Sequence, residues 1–172
     1  AIAERPGGGG RSHRVARREA EIAWWHEQGV RTIVSGMRSR HALVEYAQVG
    51  FGTRWHPLMD VVQARAEIPR LAADVQDVMA REPGAVLVHC DRVSEWLAAI
   101  DATLRLRLGL APDVAVALEQ AEADGMPVGD LARGLAERPV PEEALADGTA
   151  RKRWSCALRR RDPARPQPDR KS

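Results

Sequence analysis

The residues of this chain that could do chemistry gather around one cysteine. Cys90 closes the apolar run AVLVH at 85–89 and is followed by Asp91, Arg92, Val93, Ser94, Glu95 and Trp96, where a helical pattern takes over. A thiol at a strand end, just before a helix N-terminus, sits among backbone N–H groups and the positive end of the helix dipole. That field lowers a thiol pKa and makes the thiolate a nucleophile. The same N–H groups can cradle a phosphate dianion. Asp91 and Glu95 oppose both effects, because negative charge beside a thiolate raises its pKa and repels anions. The second cysteine, Cys156, lies far away in a polar tail. That separation argues against a structural disulfide and for a reducing, cytoplasmic setting. No CxxC or HxxxH spacing occurs, so neither metal nor cofactor is called for.

The elements that must position Cys90 follow from periodicity. Residues 14–28 read as a helix through Val15, Ile22 and Trp25 or His26, ended by Gly29. VRTIVSGM at 30–37 is β-branched and short, and reads as a buried strand. Residues 40–49 return to a helical pattern, and 50–58 form a second strand candidate ending at His56-Pro57. A long helix follows over 62–81, with Ala64, Ile68, Leu71, Val75 and Val78 as its apolar stripe. Pro69 inside it predicts a kink or a second segment. The run at 85–89 is the strongest strand signal, continuous and apolar as in a parallel strand covered on both faces. Three more helices are predicted, over 94–108, 113–124 and 128–137. Alternating helices and strands predict an α/β fold, a small mostly parallel sheet with helices on both faces. Ligands bind such sheets at the carboxyl ends of the strands, where Cys90 falls.

Composition adds an electrostatic asymmetry. Residues 151–172 hold nine Lys/Arg and two Asp, a net of +7, so the rest of a chain of net +2 carries −5. Two boundaries follow: an α/β domain over 1–138 and a basic, largely disordered tail over 139–172. The tail could bind nucleic acid or another acidic partner through phosphate neutralisation, fold back on the acidic body, or simply be solvated. No run approaches 18 uninterrupted apolar residues, so no membrane span is expected, and residues 1–10 lack the layout of a signal peptide. The glycine-rich GGGGRSHR at 7–14 reads as a flexible turn whose Arg11 and Arg14 could reach a phosphate bound elsewhere. Abundant Ala and Arg, with lysine only at Lys152 and Lys171, suggest a high-GC bacterial source.

These segments resemble the dual-specificity and tyrosine phosphatases. AVLVHC, a loop and the helix ending LRLRLGLAPDVAVAL look like that family's signature region, GVRTIV like its first core strand, and HPLMD stands where the family has its general-acid loop. The likeness spans roughly residues 2–125. It implies a phosphatase-like three-layer sandwich in which Cys90 attacks phosphorus and Asp60 protonates the leaving oxygen. His89 would orient the loop. An arginine six residues after the cysteine would grip the phosphoryl oxygens bidentately. The family pattern is His-Cys, two residues, Gly, two residues, Arg, then Ser or Thr. Here Val93 stands at the glycine, Trp96 at the arginine and Leu97 at the hydroxyl position. A positioned arginine can contribute about 10³–10⁵ in the rate of phosphoryl transfer.

The candidate catalytic residues are therefore Cys90 and Asp60. The candidate ligand-contacting residues are His89, Asp91, Arg92, Val93, Ser94, Glu95 and Trp96. Each has a plainer alternative: a buried thiol for Cys90, a core histidine for His89, a helix N-cap for Asp60, packing for Trp96. Two functions fit. One is a degenerate phosphatase-like domain binding a phosphorylated protein, a small anionic ligand or a protein partner; the other is an active cysteine phosphatase with a rearranged loop. Arg5, Arg11, Arg38, Arg40 and Arg92 are the cations that could replace the missing charge.

Overall fold

β-branched and apolar runs become the centre of the molecule because both of their faces can be covered. In the computed structural model, which describes residues 1–7 and 15–136, β1 (Ile2–Glu4) is followed by α1 (Val15–Glu27), β2 (Val30–Ser35), α2 (His41–Gln48) and β3 (Gly52–Trp55). Then come α3 (Val61–Arg81), β4 (Ala85–Cys90), α4 (Glu95–Arg107), α5 (Val114–Ala123) and α6 (Asp130–Ala136). The four strands form one parallel sheet in the order β1-β4-β2-β3. The α/β expectation holds. The basic tail and most of the glycine-rich turn lie outside the described residues.

Alternation along the strands decides which layer each side chain enters. Ile33 and Leu87 point to one face, where Ile22 and Trp25 of α1 and Leu43 and Tyr46 of α2 cover them. Ile2, Val34, Val88 and Cys90 point to the other, under α3, α4, α5 and α6. Each fully buried Ile, Leu or Val contributes roughly 1.5–3 kcal/mol, so the two apolar layers fix the strand register.

The sequence reading needs correction at five elements. β1 was not foreseen: a three-residue strand is too short to show a period, and it forms because β4 offers it a free parallel edge. β2 ends at Ser35 and not at 37, and β3 occupies only Gly52–Trp55 of the segment 50–58. β4 runs one residue further than expected, to Cys90 itself. Finally, α3 continues unbroken across Pro69, without a second segment. A proline there removes one hydrogen bond and costs about 3 kcal/mol or more. Ile68, Leu71, Ala72 and Val75 are fully buried around it, which offsets that loss.

Candidate anion site at the carboxyl ends of the strands

All four strands point the same way, so the loops that leave them meet at one end. The Arg5 N–H, one residue past β1, donates to the Cys90 carbonyl at 2.8 Å. Beyond β2, the Gly36 N–H donates to the His89 carbonyl at 2.9 Å. Here glycine is required by close approach, since a Cβ at Gly36 would stand 2.8 Å from Cys90 Sγ. Beyond β3, the Leu58 N–H donates to the Gly36 carbonyl at 3.3 Å, and Arg38 donates to the Met59 carbonyl at 2.9 Å. That segment is anchored by His56, whose ring nitrogens lie 2.8 Å from Glu67 and 3.0 Å from Asp74 on α3.

Between these loops is a cavity of about 530 Å³. Cys90 and Gly36 lie among its lining residues, with Arg5, Arg38 and Arg92 supplying positive charge. Leu58, Trp96 and Leu131 supply apolar wall, and Asp91, Ser94 and Glu95 complete it. The structure thus brings together six of the residues singled out in the sequence: Cys90, Asp91, Arg92, Ser94, Glu95 and Trp96. It adds Arg5 and Arg38, which were named as possible sources of charge, and Gly36, Leu58 and Leu131, which were not.

The remaining candidates lie elsewhere. His89 faces the opposite side of the sheet, with ring centroids 5.5 Å from Tyr46 and 6.3 Å from Trp25. Val93 packs against the core of the α3–α6 layer. Asp60 caps α3, its Oδ1 accepting the Gln63 N–H at 2.8 Å, and it is not on the cavity wall. Arg40 stacks 4.1 Å over the Trp55 ring, away from the cavity. Arg11 lies outside the described residues.

Electrostatics at the cavity departs from that of an activated nucleophile. Burial pushes the Cys90 thiol up to about 12, and the Asp91 charge pushes it the same way. The field that lowers a thiol pKa at a helix start is outweighed, so the thiol is protonated at neutral pH. Asp91 is also the partner of Arg5, with Oδ1 3.8 Å from Nη1. Glu95 is engaged by α6: its Oε2 accepts the Ala132 N–H at 3.1 Å. Gly129 makes that approach possible, since a Cβ there would lie 2.6 Å from the same oxygen. Neither carboxylate therefore faces the cavity unpartnered. Arg92 has no side-chain partner among the described residues, and Arg38 is held only by its one bond to a neutral carbonyl.

His89 gives the contrasting case. Neither of its ring nitrogens has a hydrogen-bond partner among the described residues. Burial, helped by the positive charge of Arg5, lowers it to about 4.

This sheet, with a cysteine at the carboxyl end of its β4 strand and helices on both faces, has the fold of the dual-specificity phosphatases. Human DUSP28 superposes with a TM-score of 0.54 at 17% identity, over 71% of this chain and 82% of that one. The kinase associated phosphatase, in a form whose catalytic cysteine is replaced by serine, superposes with a TM-score of 0.53 at 15% identity, over 80% of this chain and 88% of that one. No protein-family model matches the chain, and no curated protein sequence does. The likeness is one of fold. Among the described residues no helix is long and apolar enough to cross a membrane, and no group of three or more His, Cys, Asp or Glu is placed to hold a metal.

Proposed function

We propose that this domain captures a phosphate-bearing ligand over Cys90 without hydrolysing it. One observation carries the reading: arginines from three separate loops line a cavity whose cysteine is buried, with Asp91 next to it in the chain. Binding an anion needs donors and positive charge, and Arg5, Arg38 and Arg92 supply them. Hydrolysis through a phosphocysteine needs a thiolate, and burial and Asp91 both oppose it. Trp96, at the position where the resemblance calls for arginine, adds apolar wall in place of charge. Asp60, the resemblance's proton donor, is engaged as a helix cap.

The ligand is a phosphorylated protein segment or a small phosphorylated molecule, and the setting is cytoplasmic, as a chain with two widely separated cysteines suggests. Arg5, Arg38 and Arg92 also keep the enzyme alternative testable, because charge returned from other loops could assist phosphoryl transfer. Thermal unfolding in tungstate or phosphate and turnover of an aryl phosphate separate the two. Capture without catalysis predicts a rise in melting temperature that saturates at millimolar anion, with no release of phosphate from acidic to neutral pH. Turnover that is lost in Cys90→Ser would replace this proposal with the enzyme. A melting temperature indifferent to both anions would remove the anion site altogether.

A further inference from the structure

The three cavity arginines are not equivalent. Arg92 and Arg38 meet no carboxylate among the contacts described above, whereas Asp91 Oδ1 stands 3.8 Å from Arg5 Nη1, an ion-pair distance longer than a hydrogen bond. Asp91 is half-exposed, with 52% of its side chain accessible, and it directly follows Cys90. Its carboxylate and the Arg5 side chain both line the cavity, so an anion entering it meets the two together. Glu95, the other carboxylate on the wall, is held back by the Ala132 N–H and does not compete for Arg5.

An incoming carboxylate can do no more at Arg5 than Asp91 already does. It exchanges one monoanion for another and meets the repulsion of the displaced group. A tetrahedral dianion brings a second charge and further acceptor oxygens, which Arg38 and Arg92 can meet while Arg5 is shared or taken over. A built-in competitor of this kind sets a floor on affinity and so rejects weak ligands.

We propose that Asp91 is a specificity-determining residue of the cavity, a resident carboxylate on Arg5 that restricts the site to dianionic oxyanions such as phosphate monoesters. This rests on the anion-binding reading above and names the device that selects the anion. The contact is partly exposed, so its effect on affinity is modest, about fivefold at most. Relief of repulsion against a dianion acts in the same direction.

The experiment is a titration of the full chain by thermal unfolding with inorganic phosphate and, separately, with acetate, against chloride at matched ionic strength. Four proteins are compared: wild type, Asp91→Asn, Arg5→Gln and the double variant. In wild type, phosphate stabilises and acetate does no more than chloride. Asp91→Asn tightens phosphate by about twofold to fivefold and makes acetate binding measurable. In the Arg5→Gln background the same change at Asp91 tightens phosphate less than twofold, because the competitor has lost what it competed for. Tightening that persists undiminished without Arg5 means simple repulsion through space and overturns the proposal. Unchanged or weaker phosphate binding in Asp91→Asn overturns it too, while leaving the anion site standing. If none of the four proteins responds to phosphate, the anion-binding reading has failed and this inference falls with it. Asp91→Ser serves as a second variant should Asp91→Asn fold poorly.

Discussion

His89 and Cys90 are neighbours on one strand and meet opposite fates. His89 enters the α1 and α2 layer, against Trp25 and Tyr46. Cys90 enters the α3–α6 layer beneath the arginine-lined cavity. Burial forces both into their neutral forms, lowering the imidazole to about 4 and raising the thiol to about 12. Arg5 acts on His89, Asp91 acts on Cys90, and Arg5 is also among the residues that line the cavity on the cysteine side. The difference teaches that a titratable group at a strand end becomes part of a site only when the loops bring charge to its own face. A buried position alone yields an inert group.

The largest effect expected from that comparison is on thiol reactivity. Burial raises the thiol from its ordinary value of 9.0 to about 12, which leaves about 10³-fold less thiolate at neutral pH. In a Cys156→Ser background, alkylation of Cys90 by iodoacetamide should be slower than that of a free thiol by about this factor or more, and should rise steadily into alkaline pH. Alkylation at the pace of an exposed thiol at neutral pH would show that the thiolate is accessible and that the two sides of β4 differ more than burial allows.

The next effect is on acid stability. The folded state holds His89 neutral, and its ordinary value of 6.5 falls to about 4 on folding. The unfolded chain therefore takes up this proton first as pH falls. Stability is unaffected above about 6.5 and is lost progressively down to about 4, by about 3 kcal/mol. Urea unfolding at the two ends of this window should show that His89→Leu narrows the loss by a similar amount. Equal acid sensitivity in wild type and variant would mean that His89 is solvated in the folded protein.

The smallest effect separates cap from catalyst. Asp60→Ala should cost about 1 kcal/mol through the lost N-cap of α3, read from chemical denaturation. Phosphate binding should not change, because Asp60 is absent from the cavity wall. A change in binding without a change in stability would return Asp60 to the site.

Much of this was legible in the sequence, for identifiable reasons. Six helices and β4 carry strong periodic signals, and Cys90 falls at the carboxyl end of the strand with the clearest one. Asp60 reads as a cap because it directly precedes an apolar stripe at helical spacing. β1 was invisible, since three residues cannot display alternation. The approach of Arg5 and Arg38 to Cys90 depends on which strands lie side by side, and no local pattern encodes that. Glu95 looked like a charge added to the loop, because its partner, the Ala132 N–H, belongs to a helix 37 residues further on. The missing arginine was legible as Trp96 and five candidate replacements could be named, but which of them line the cavity could not.

The most direct test of capture without catalysis is phosphorus NMR of the intact chain with phenyl phosphate. The account predicts that the monoester resonance shifts or broadens saturably on adding protein, and that no inorganic phosphate resonance grows over prolonged incubation. A growing inorganic phosphate signal that depends on Cys90, or a monoester line that never responds to the protein, would contradict it.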